Sequence, residues 1–159
     1  TVFLADALQP DFALSVCDPR GRVLGVAGLK TGAGGLICGG LPELRRAYGT
    51  PGALWRAPLL DLLDRPVDAG ELVLDGLFVA REARGRGLGT ALVAAVREEA
   101  RRHGARRVRL EVVDGNLRAR GLYARMGFRA VETRDHGVLR LAFGFRKATR
   151  MVLEVAPAG

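Results

Sequence analysis

Cysteine, histidine, lysine and aromatic side chains are all scarce in this chain. Cys17 and Cys38 are its only cysteines and His103 and His136 its only histidines. The cysteines form no CxxC pair and the histidines lie far from them in sequence, so no zinc-ligand spacing or disulfide framework organises the fold. Both thiols are expected to be buried or half-buried. Aromatic residues make up 6% of the chain, and there is no stacking platform, zinc-finger spacing or helix-turn-helix signal of a nucleic-acid binder. No apolar run reaches the roughly 18 residues that cross a bilayer. Thr1 to Gln9 are too short and too acidic for a secretory leader. The expectation is a soluble, cytoplasmic protein with no membrane partner and no bound metal.

Apolar residues and arginine are what the chain has in quantity. With 48% hydrophobic residues in 159, one domain with a proper core is expected, spanning 1–159. The net charge is +8, and Lys30 and Lys147 are the only lysines, so nearly all the positive charge is arginine. A basic surface suits nucleic acid, but it equally suits a small ligand carrying several phosphates. With no nucleic-acid motif present, nucleic acid is not expected as the main partner.

Periodicity places the elements. Ala13 to Val16 and Arg22 to Leu29 are apolar runs around Asp18-Pro19-Arg20-Gly21, which predicts an antiparallel hairpin. Leu41 to Asp64 reads as an inserted helical segment in two pieces, broken at Thr50-Pro51-Gly52. Glu71 to Val79 is a strand, and Leu88 to Arg102 holds apolar residues at helical spacing. Arg107 to Val113 alternates, with Val108, Leu110 and Val112 on one face and Arg107, Arg109 and Glu111 on the other. Ala119, Leu122, Tyr123 and Met126 form the stripe of a short helix, capped at Gly127-Phe128. Strands close the chain at Phe128 to Thr133 and Thr149 to Val155. The strand–helix–strand unit over 71–113 makes its two strands parallel. The predicted class is therefore α/β, a mixed, mostly antiparallel sheet around one central parallel βαβ unit.

The sharpest chemical feature is Arg84-Gly85-Arg86-Gly87-Leu88-Gly89-Thr90, between a strand and a helix. Glycines let a backbone approach a ligand closely. The first amides of a helix have no internal partner and sit at its positive end, where a diphosphate fits. Arg84 and Arg86 add charge. A P-loop is excluded because it needs a Gly-Lys-Ser/Thr run. A dinucleotide fingerprint fits poorly, because its third glycine position holds Thr90, although Glu111 lies near where that motif wants an acid. A plain Gly-rich turn stays open on the residues alone. Asn116 reads equally as a helix N-cap or as a ligand-binding side chain.

Taken in order, these residues resemble a known family. Arg84-x-x-Gly87-x-Gly89 is similar to the Q/R-x-x-G-x-G/A signature of the GNAT (GCN5-related) N-acetyltransferases. Leu77-Phe78-Val79 is similar to that family's central strand, and Asn116, Tyr123 and Gly127-Phe128 resemble its N-x(6)-Y-x(3)-G-F segment. The resemblance runs from about Glu71 to Phe128, and more loosely over residues 12–30 and 129–155. It implies acetyl-CoA as cosubstrate and an amine acceptor, a small molecule or a protein or peptide amine. It also implies direct transfer in a ternary complex and parallel strands splayed to hold the pantetheine arm. Amides of Gly85, Arg86, Gly87, Leu88, Gly89 and Thr90 would hold the pyrophosphate. Backbone of Leu77, Phe78 and Val79 would bond the pantetheine and polarise the thioester, near a bulge favoured by Gly76. Asn116 would bond the cofactor from the far wall. Tyr123 would meet the cofactor too and protonate the departing thiolate. Of the carboxylates able to deprotonate an amine, Glu111 ranks narrowly above Asp75, and Glu71 last. Pairing with arginine is the plain alternative for each. The family's opening strand and helices have only Thr1 to Pro10 to occupy here, so they are expected to be shortened or missing. The 41–64 segment is expected to cover the acceptor side or to form a homodimer interface, a packing role being the alternative. Two other functions compete: a non-catalytic CoA-binding sensor and a basic nucleic-acid-binding protein.

Overall fold

The computed structural model describes residues 10–35, 67–135 and 147–156. The 41–64 insertion with Trp55, and also Cys38, His136 and the first nine residues, lie outside the described residues. The strands are β1 (Ala13–Cys17), β2 (Val23–Thr31), β3 (Gly34–Gly35), β4 (Glu71–Val79), β5 (Arg107–Val113), β6 (Arg129–Asp135) and β7 (Lys147–Glu154). Among the described residues two α-helices join them, α1 (Leu88–Arg102) and α2 (Leu117–Arg125). The described strands form one sheet in the order β1-β2-β4-β5-β7-β6, with the two-residue β3 paired to β2. Among the described strands only β4 and β5 run parallel; the other neighbours are antiparallel. This is the expected mixed sheet, and α1 is the crossover that makes its central pair parallel.

One face of the sheet is apolar. Leu72, Leu74, Val108, Leu110 and Val112 join Met151 and Leu153 in a single buried cluster. Helix α1 lays Leu92, Val93, Val96 and Ala100 on that cluster and packs across β1, β2 and β4. From α2 comes Tyr123, with Phe128 beyond its end, and the two rings meet at 5.7 Å between centroids. Burying a side chain of Leu or Val size stabilises by about 1.5–3 kcal/mol, so this cluster is what clamps both helices to the sheet.

The other face is a ladder of charges. Asp68 meets Arg107 (3.1 Å), Arg107 meets Glu71 (3.0 Å), and Glu71 meets Arg109 (2.8 Å). Arg109 lies 4.0 Å from Glu111, Glu111 meets Arg150 (3.2 Å), Arg150 lies 3.7 Å from Glu132, and Glu132 meets Arg134. Signs alternate along the whole run because alternate residues of each strand share a face and paired strands put them side by side.

The expected boundaries differ in detail. Strand β6 begins at Arg129, because Phe128 turns into the core. Cys17 is exposed rather than buried, since it ends β1 where the register slips before the turn.

Candidate active site

The parallel pair forks. Partners run from Glu71↔Arg107 to Leu74↔Leu110 and stop. Beyond that point β4 pairs only with β2, through Gly25 to Gly28, and β5 pairs only with β7. The cause is local. Gly28 pairs with Gly76 but Leu29 pairs with Leu74, so Asp75 is an extra residue in β4, a bulge that bends the strand away. Parity changes across it: Leu72 and Leu74 face the core before the bulge, Leu77 and Val79 after it. The facing edges of 76–79 and 111–113 therefore have no ladder partner among the described residues.

Helix α1 starts at the mouth of this fork. Gly85 and Gly87 take φ near +79° and +78°, a left-handed backbone that side chains resist, and Gly87 is the residue just before the helix. The first bond into the helix is Ala91 N–H to Gly87 carbonyl, 3.0 Å. The amides of Gly85 to Thr90 donate to no acceptor among the described residues. Gly89 serves a different need: a Cβ there would stand 3.2 Å from Leu122 Cδ2 on α2. Any side chain at 89 would press on the wall opposite.

Fork, loop and α2 enclose a cavity of about 530 Å³. Leu77, Phe78 and Val79 form one wall and Arg84, Gly85 and Gly87 to Thr90 the floor, with Asn116 and α2 opposite. Asn116 does cap α2, its Oδ1 accepting from Ala119 N–H at 3.1 Å, and it lines the cavity as well. Arg84 donates from Nε to the Val79 carbonyl, 3.1 Å, bracing the loop against β4. Arg86 is exposed and outside the lining. Phe78 is 64% exposed, with its ring against Gly76, where a Cβ would come within 2.7 Å of it.

The expected proton-transfer residues are distributed around the fork. Tyr123 neighbours Leu122 on α2 but is buried and is not part of the lining. Its hydroxyl makes no hydrogen bond among the described residues yet keeps some contact with solvent. Burial raises its pKa above 10.0, so the phenol is protonated at neutral pH. Asp75 and Glu111 are the first residues past the last parallel pair, Leu74↔Leu110, one on each arm. Glu111 is held by Arg150 and Arg109, while Asp75 is exposed. Glu71 is committed to two arginines, its side chain only 2% exposed, and belongs to the charge ladder.

Sequence reasoning missed the part of the lining that α2 supplies: Arg118, Ala119, Leu122 and Arg125. They stand at helical spacing on one stripe. The apolar stripe includes Ala119 and Leu122, but the arginines flanking it read as solvated surface. Among the described residues no group of three or more His, Cys, Asp or Glu could hold a metal ion, and no helix is long and apolar enough to cross a membrane.

Comparison with known proteins agrees with this geometry. Residues 9–128 match the acetyltransferase (GNAT) family. The N-acetyltransferase YobR of Bacillus subtilis (strain 168) is 36% identical over 67 residues, 42% of this chain and 27% of that protein. The match thus spans about a quarter of the relative's length. The ribosomal-protein-S18-alanine N-acetyltransferase of Escherichia coli shares the fold at a TM-score of 0.58 and 20% identity, over 95% of this chain and 74% of that one. Ard1 from Thermoplasma volcanium does so at 0.61 and 18%, over 96% and 76%. A fold built on a forked parallel pair, and a sequence match through the loop at its mouth, place this chain in the acetyltransferase (GNAT) family.

Proposed function

We propose that this protein is an acyltransferase that moves an acetyl group from acetyl-CoA to a primary amine by direct attack in a ternary complex. One observation carries the reading: the amides of Gly85 and of Gly87 to Thr90 have no acceptor among the described residues and sit at the floor of a cavity that opens between two unpaired strand edges. The residues fit the cosubstrate. Unpaired amides and a helix N-terminus suit a diphosphate, and strand edges with free backbone groups suit the amide-bearing pantetheine arm. The apolar Leu77, Val79 and Leu122 suit its methylenes.

Acetyl-CoA supplies a thioester, and the chain's own groups do the rest. Backbone N–H groups along Leu77 to Val79 orient and polarise the carbonyl. Tyr123, held protonated by burial, gives a proton to the departing thiolate. Glu111 takes a proton from the attacking amine, directly or through one water, with Asp75 across the fork as the second candidate. Only the neutral amine attacks, and an alkyl amine is mostly protonated near pH 7.

Calorimetric titration with acetyl-CoA, followed by thiol release in the presence of an amine panel, tests this. Binding with release that depends on the amine is the expected result. Binding without release on any amine would leave a CoA-binding sensor. Salt-dependent DNA binding that CoA does not displace would favour the nucleic-acid reading.

A further inference from the structure

Among the described residues, the charged side chains lining the cavity are Arg84, Arg118 and Arg125, with no carboxylate beside them. That distribution contrasts with the sheet, where Arg107, Arg109 and Arg150 each meet a carboxylate. Arg84 is partly satisfied by the Val79 carbonyl. Arg118 and Arg125 have no hydrogen-bond or ion-pair partner among the described residues. They lie two helical turns apart, about 10 Å along the axis. Between them is Leu122, the residue that faces Gly89 at the start of α1. The guanidinium of Arg125 folds back along the helix, its Nη1 3.4 Å from where a Cβ on Gly121 would stand. Two unpaired cations thus flank the place where α2 crosses the amide cradle, on the wall opposite it.

We infer that Arg118 and Arg125 form a second anion subsite, which selects the 3′-phosphate of CoA. The inference rests on the reading of the cavity as a CoA site. The diphosphate is already provided for, by five unpaired amides at the cavity floor, the positive end of α1 and Arg84. The 3′-phosphomonoester is the remaining anion of that cosubstrate, and it carries close to two negative charges near neutral pH. Two arginines with forked donors and no competing carboxylate match a dianion with three acceptor oxygens. The arginines touch no atom that reacts; they act on recognition.

The test compares CoA with 3′-dephospho-CoA by calorimetry on the wild type and on Arg118→Ala, Arg125→Ala and the double variant. Wild type is expected to bind CoA about tenfold or more tightly than dephospho-CoA, a preference that shrinks with added salt. The double variant is expected to bind both ligands alike, at the affinity wild type shows for dephospho-CoA, with an unchanged circular dichroism spectrum. Equal affinity of wild type for the two ligands overturns the inference. So does an equal loss for both in the double variant, which would place the arginines on the diphosphate. If wild type binds neither ligand, the CoA reading falls and this inference with it; a wild type that binds both equally sinks the inference alone.

Discussion

Tyr123 is the proposed catalytic side chain that the core holds most firmly. Its ring packs on Phe128, and burial keeps its phenol neutral. Tyr123→Phe retains the packing and removes the proton, so kcat is expected to fall by about 10²-fold or more, with the acetyl-CoA Kd nearly unchanged. Full kcat in this variant would leave Tyr123 as packing only. The sign of its titration follows from the raised pKa. The neutral form is favoured in the folded state, so that stabilisation is complete below the unfolded value near 10 and is lost as pH climbs through the higher folded value. A difference titration of wild type against Tyr123→Phe is expected to show a phenol ionising above pH 10. The base is decided at this scale too, by the pH profile of kcat/KM. Glu111→Gln is expected to lose the acidic limb and Asp75→Asn to keep it. The reverse pattern would transfer the role to Asp75, and a limb kept in both would assign it to water.

At the scale of elements, the amide cradle and the charge ladder make separable demands. The cradle needs backbone shape and empty space. Gly89→Glu places a side chain against Leu122 and a negative charge beside the proposed diphosphate position. Acetyl-CoA binding measured by calorimetry is expected to weaken at least tenfold, by about 1.4 kcal/mol or more, and wild-type affinity would refute the cradle. The ladder needs every member. Glu71 is sealed between Arg107 and Arg109, whose own side chain is 7% exposed. Glu71→Gln leaves the buried Arg109 guanidinium without its nearest counter-charge, for which about 3–5 kcal/mol of destabilisation is expected in urea unfolding. A loss below 1 kcal/mol would mean that Glu111, 4.0 Å from Arg109, suffices as its partner.

At the scale of the whole molecule, we propose that the 41–64 insertion, which lies outside the described residues, covers the acceptor side or joins two copies, packing alone being the alternative. Trp55 and its neighbouring leucines exceed what the small core needs, which points to a cover for the acceptor side or to a contact between two copies. Deleting the segment is expected to change either amine selectivity or the mass in solution. If light scattering and an acceptor panel both return wild-type values, the segment only packs.

Much of this architecture was legible in the chain. The alternation in 107–113 and the 3.6-residue spacing in 88–102 are local consequences of which side chains must be buried, and β4, α1 and β5 fall where that patterning puts them. The loop from Arg84 to Thr90 was legible as well, because glycine and a helix start act through the backbone nearest to them. What no local pattern holds is distance across the sheet. That Asp75 is the residue left over depends on how β2 registers against β4. That Glu71 is locked and Glu111 shared depends on which arginines β5 and β7 bring alongside. That the exposed Arg118 and Arg125 border a cavity depends on where α2 sits against the start of α1. Each of these is settled by packing between segments far apart in sequence, and so only in the folded chain.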